Sequence, residues 1–139
     1  MSSATSPPLW ALTGAVAVGG ALGAVLRYGL DLAWPPSAAG VSWTVLAINV
    51  TGSLLIGVLV EVLAHRRPRN PWVRPFLGAG FLGGYTTFSA YAMDVVTALE
   101  RGAPEAALTY LSLTLAGALV AACAASALTQ RILGEGGTP

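Results

Sequence analysis

Four stretches of the chain carry no Asp, Glu, Lys or Arg: Leu9–Leu26, Val41–Val60, Pro75–Met93 and Ala106–Gln130, of 18, 20, 19 and 25 residues. An α-helix needs about 20 such residues to cross a hydrocarbon core about 30 Å thick. Four crossings use nearly all of the 139 residues, so no length remains for a soluble domain. Charged residues are 9% of the chain, where an ordinary soluble domain has roughly 25%. The expected fold class is an all-α membrane protein: one domain over 1–139, with four transmembrane helices near 9–32, 42–64, 72–99 and 105–133. Its surroundings are the lipid bilayer. The first stretch has no basic leader and no evident small-residue cleavage site, so it is expected to be a retained helix.

The tryptophans agree with this layout. Trp10 and Trp43 open the first two stretches, Trp34 follows the first and Trp72 precedes the third. An amphipathic ring is favoured at such interfaces. "WPPSAAG" (Trp34–Gly40), "HRRPRNP" (His65–Pro71) and "ERGAP" (Glu100–Pro104) read as the connections, the first because Pro35 and Pro36 cannot continue a helix. Four crossings place both termini on one side, with Arg66, Arg67, Arg69, Arg74 and Arg131; Arg27 and Arg101 fall on the other. The excess of arginine predicts cytoplasmic termini. The net charge of +1 gives no reason to expect a nucleic-acid partner. Cys123 is the sole cysteine and His65 the sole histidine, which leaves neither an intrachain disulfide nor a thiolate–imidazole metal site to build.

Polar groups within apolar stretches are costly and each needs a partner or a function. Asn49, Gly52 and Ser53 share one face of the second helix; the Asn49 amide either joins two helices or donates to a passing anion. Arg27 closes the first stretch and either reaches the interface or keeps a pore mouth positive. Gly83-Gly84-Tyr85-Thr86-Thr87 is poor helix sequence, combining flexible glycines with β-branched residues. A break there would bare carbonyls at membrane depth, where such backbone is tolerated only if buried in protein or lining a cavity. Beyond it, Phe88 and Tyr91 lie three apart, as packing rings or as positive ring edges facing an anion. Tyr110 and Thr114, followed by Ala118, put two hydroxyls on one face of the last helix, to line a path or to bond a neighbour. Gly19 with Gly23, and Gly80 with Gly84, have the four-residue spacing that lets helix backbones approach in lipid.

Three segments resemble the signatures of the Fluc, or CrcB, fluoride channels: "GGALGAVLRY" (Gly19–Tyr28), "NVTGSLLIG" (Asn49–Gly57) and "GFLGGYTTFSAY" (Gly80–Tyr91). The resemblance runs in order across nearly the whole chain. It implies a plasma-membrane subunit with a broken third helix, paired in an antiparallel dual-topology dimer that exports fluoride passively and relieves its toxicity. The partner is a second copy or a paralogue. The resemblance further implies a structural, non-transported Na⁺ at the dimer centre, held by the carbonyls of Gly83 and Thr86. Asn49, Phe88, Tyr91, Tyr110 and Thr114 would line the fluoride pore and Arg27 its vestibule. Two positions depart from the family pattern: Tyr91 where Phe is usual, and Ala118 where a hydroxyl is often found.

The residue inventory suits a channel. Fluoride is small and strongly hydrated, so passage needs donors in series that do not hold it permanently. Glu61 and Asp94 stand at the ends of apolar stretches, whereas a proton-coupled exporter needs an intramembrane carboxylate. No nucleophile–base pair suggests an enzyme. The alternatives are a four-helix small multidrug-type exporter, which needs an acid that Leu9–Leu26 lacks, and a non-conducting partner subunit of a heterodimeric channel.

Overall fold

A computed structural model describes residues 7–34, 41–66 and 70–135. The Pro35-Pro36 turn, Arg67, Arg69 and both terminal tails lie outside the described residues. Helix α1 spans Leu9–Ala33 and α2 Trp43–Arg66. A wider, π-helical segment, π1, covers Arg74–Leu82 and runs into a single α-turn, α3, at Gly83–Tyr85. Thr86 and Thr87 are extended, with φ/ψ of −78°/156° and −147°/123°. Helix α4 spans Phe88–Glu100 and α5 Pro104–Glu135. No strand occurs among the described residues. Three helices, Leu9–Ala33, Trp43–Arg66 and Pro104–Gly134, are long and apolar enough to cross a membrane.

Local sequence explains where these elements begin. The Ser42 hydroxyl accepts the Val45 N–H at 3.2 Å and caps α2; the Thr87 hydroxyl accepts the Ala90 N–H at 3.2 Å and caps α4. Pro104 takes the first position of α5, where its missing N–H costs nothing. Gly102, at φ 70°, makes the left-handed turn between α4 and α5.

Two packing seams build the fold. Along one, α1 lies on π1 and α3; along the other, α2 lies on α5, which also receives α4. The first seam is backbone on backbone. A Cβ on Gly80 would stand 2.8 Å from the Val16 carbonyl oxygen, and one on Gly84 would strike the backbone of Gly20. On the opposite side, a Cβ on Gly19 or Gly23 would meet the backbone of Phe76, Phe81 or Tyr85. The two glycine pairs thus face each other, as small residues do when helices must approach without a hydrophobic driving force. A buried cluster of Val41, Val45, Tyr91, Ala98, Ala107 and Tyr110 ties the start of α2, α4 and the start of α5 together. Large apolar side chains cover the outside, among them Val25, Leu119, Val120 and Leu128. All four tryptophans are exposed.

Candidate functional site

Asn49 connects α2 to the extended pair. Its Nδ2 donates to the Thr87 carbonyl at 2.9 Å, and its Oδ1 accepts the Thr87 N–H at 2.9 Å. The side-chain amide thus stands in for a neighbouring strand and satisfies both polar groups of a residue outside any helix. Of the two uses open to Asn49, joining elements is made here, and one amide N–H remains for another acceptor. Thr86 is tied backwards: both its N–H and its hydroxyl donate to the Leu82 carbonyl at 3.0 Å. The methyl of Thr86 packs where a Cβ on Gly52 would lie, so Gly52 lets α2 approach the extended pair closely.

One open groove, of about 420 Å³, runs beside this junction. Asn49, Gly83, Thr86, Phe88, Tyr91 and Thr114 all line it, with Gly52, Ser53 and Ala118. The structure therefore brings together six of the eight residues singled out from sequence. Phe88 is 77% exposed and Tyr91 only 4%. Their rings meet edge-on, with centroids 5.5 Å apart and planes at 62°. Thr114 is the most telling member. Its hydroxyl oxygen is inaccessible and has no hydrogen-bond partner, although a buried hydroxyl left bare costs about 1–3 kcal/mol.

Tyr110 and Arg27 are not among the groove residues. Tyr110 is fully buried behind Tyr91, with ring centroids 6.0 Å apart. Its hydroxyl lies 2.8 Å from Asp94 Oδ2 and 3.0 Å from the Ser42 carbonyl, so its single proton has two acceptors. Asp94 Oδ2 also accepts the Ser42 N–H at 3.2 Å, which places a carboxylate at the positive end of α2. Arg27 reaches across the α1 seam: its Nε donates to the Gly84 carbonyl at 3.4 Å, one residue from the groove wall, and its Nη1 lies 3.9 Å from Asp31 Oδ2.

Sequence reading missed several polar partners. The link from Asp94 to Ser42 and Tyr110 joins three elements and has no sequence spacing to betray it. Likewise Glu61 Oε1 accepts from the hydroxyl of Ser126 and, at 2.9 Å, from Nε2 of Gln130, clasping α2 to α5 near the termini. Asp31 was missed too, although its place four residues after Arg27 on one helix was a signal for the pair.

Residues 14–126 match the family described as CrcB-like protein, Camphor Resistance (CrcB). The chain belongs to the CrcB family. The matched span contains all three signature segments, and with three membrane-length helices this CrcB chain is a multi-pass membrane protein. It is 46% identical over 124 residues to "Fluoride-specific ion channel FluC 2" of Thermobifida fusca, covering 89% of this chain and 92% of that one. It is 42% identical over 120 residues to "Fluoride-specific ion channel FluC" of Rhizobium meliloti, covering 85% and 95%. With "Fluoride-specific ion channel FluC 1" of Streptomyces coelicolor it shares 42% identity over 118 residues, covering 85% and 77%.

Proposed function

We propose that this CrcB chain is a fluoride-selective channel subunit through which fluoride leaves the cytoplasm down its own gradient. One observation carries the reading: a single groove gathers Asn49, Phe88, Tyr91 and Thr114, and the Thr114 hydroxyl there is buried without a partner. A dehydrated anion needs donors in sequence. The free Asn49 N–H, the Thr114 hydroxyl and the positive edges of two rings supply them. The names of the relatives support fluoride as the anion. Arg27, beside Gly84, lends a positive field to the groove mouth. Tyr110 serves the path from behind, by holding Tyr91 and the Asp94 carboxylate in place.

The groove is open on one side, and Phe88 projects from it. A second subunit in the opposite orientation, a copy or a paralogue, closes the path with its own Phe88 or the equivalent ring. In this reading π1, α3 and α4 are together one broken third crossing, with Thr86 and Thr87 at the break. A Na⁺ ion fits the donor set in kind. Among the described residues no cluster of His, Cys, Asp or Glu could hold a metal; neutral oxygens, the backbone carbonyls foremost, would serve, and hard cations accept these. The Gly83 and Thr86 carbonyls of one subunit are too few for a full shell, and the partner's matching pair completes it. Bound there, the ion offsets converging carbonyl dipoles and plays no part in transport.

Efflux from proteoliposomes tests the proposal. Fluoride should leave with no proton gradient while chloride stays. Equal loss of both ions, or loss only when protons are driven, contradicts it. Tyr91, which stands where the family signature has Phe, gives a specific reason for a second arm: if the chain alone is silent, flux on reconstitution with a paralogue identifies it as one half of a heterodimer.

A further inference from the structure

Asp31 is placed where a carboxylate is costly. It lies in the last turn of α1, the negative end of the helix dipole, with no basic residue in that turn. Its Oδ1 is inaccessible and has no hydrogen-bond donor. The Asp94 carboxylate is already occupied by Ser42 and Tyr110. Among the described residues the ion-pair partner of Asp31 is Arg27, at 3.9 Å, and even here the order is the weaker one, with the cation four residues before the anion. The effect of Asp31 falls on Arg27, whose guanidinium also touches the Gly84 carbonyl beside the groove wall.

We propose that Asp31 is a positioning residue and counter-charge that limits how strongly Arg27 holds anions at the mouth of the groove. This rests on the fluoride-channel reading. A mouth that binds too tightly slows release, and conduction needs binding strong enough to admit an ion and weak enough to free it. An unopposed guanidinium beside Gly84 would also repel a cation at the neighbouring Gly83 and Thr86 carbonyls. Asp31 moderates both effects without entering the path.

The test compares wild type, Asp31→Asn, Arg27→Gln and the double variant in proteoliposomes, over a range of fluoride concentrations and at low and high ionic strength. Thermal melting is followed alongside. Asp31→Asn should lower the half-saturating fluoride concentration about tenfold at low salt, the lower end of electrostatic focusing. That gain should vanish near 1 M salt, where the Debye length is about 3 Å, and should be absent in the Arg27→Gln background. The melting temperature should hold or rise. An unchanged half-saturation, a change indifferent to salt or to Arg27, or a fall in melting temperature would each overturn the assignment. Absence of fluoride flux in wild type, both alone and reconstituted with a paralogue, would instead remove the channel reading itself.

Discussion

Replacing Asn49 by alanine removes both hydrogen bonds that hold Thr87, each 2.9 Å long. Side-chain bonds between membrane helices average only about 0.6 kcal/mol, because the unfolded chain in lipid finds other partners. The acceptor and donor here belong to the backbone of an extended residue, which has no helical bond to fall back on. Each group left bare then costs about 1–3 kcal/mol, so the pair costs at least about 2 kcal/mol. At 1.4 kcal/mol per factor of ten, local opening at Thr87 becomes about thirtyfold more populated. Hydrogen exchange of the Thr87 amide in nanodiscs reads this directly, with the amides of α2 as internal controls. Asn49→Asp keeps the acceptor for the Thr87 N–H and loses the donor, so its acceleration should be smaller. If Asn49→Ala leaves Thr87 exchange unchanged while fluoride flux disappears, the amide serves the ion and not the backbone, and the reasoning fails.

Three further outcomes follow from the same geometry. Phe88→Ile keeps apolar bulk but loses the positive ring edge; fluoride efflux should drop at least about tenfold while dimer assembly by size-exclusion chromatography is unaffected. Thr114→Val removes a hydroxyl that has no partner, so melting should hold or rise by the equivalent of up to about 1–3 kcal/mol while flux falls; a fall in melting temperature would mean that the hydroxyl is bonded. Gly84→Ala drives a Cβ into the Gly20 backbone. It should destabilise the α1 seam by about 1–3 kcal/mol, seen as a lower melting temperature and lost folded protein.

Much of the helical layout was written in the uncharged stretches, because lipid permits few alternatives to a helix. Leu9–Leu26 lies within α1, and Ala106–Gln130 within α5. Glycine and threonine chemistry marked Gly83–Thr87 as poor helix sequence, and Thr86 and Thr87 are extended; the π-helical winding of Arg74–Leu82 had no such signal, since nothing in RPFLGAGFL distinguishes it from an α-helix by pattern. The glycine pairs were legible by spacing, yet only the fold shows that each pair faces the other. The groove residues came from local motifs, since Asn49, Phe88 and Tyr91 each sit in one. Spacing left the hydroxyls of Tyr110 and Thr114 to line a path or to bond a neighbour, and that of Tyr110 bonds neighbours, turning to Asp94 and Ser42. That contact joins positions 16 and 68 residues away, and no periodicity reports a bond made only when three helices meet. Glu61, with Ser126 and Gln130, was hidden for the same reason.

A planar-bilayer recording separates passive, selective conduction of fluoride from coupled or unselective transport. With the reconstituted chain between equimolar fluoride and chloride solutions at equal pH, the current should reverse at a large potential whose sign marks fluoride as the permeant ion. Changing pH on one side should leave that potential where it is. A reversal near zero, or one that follows the proton gradient, would rule out a passive fluoride channel.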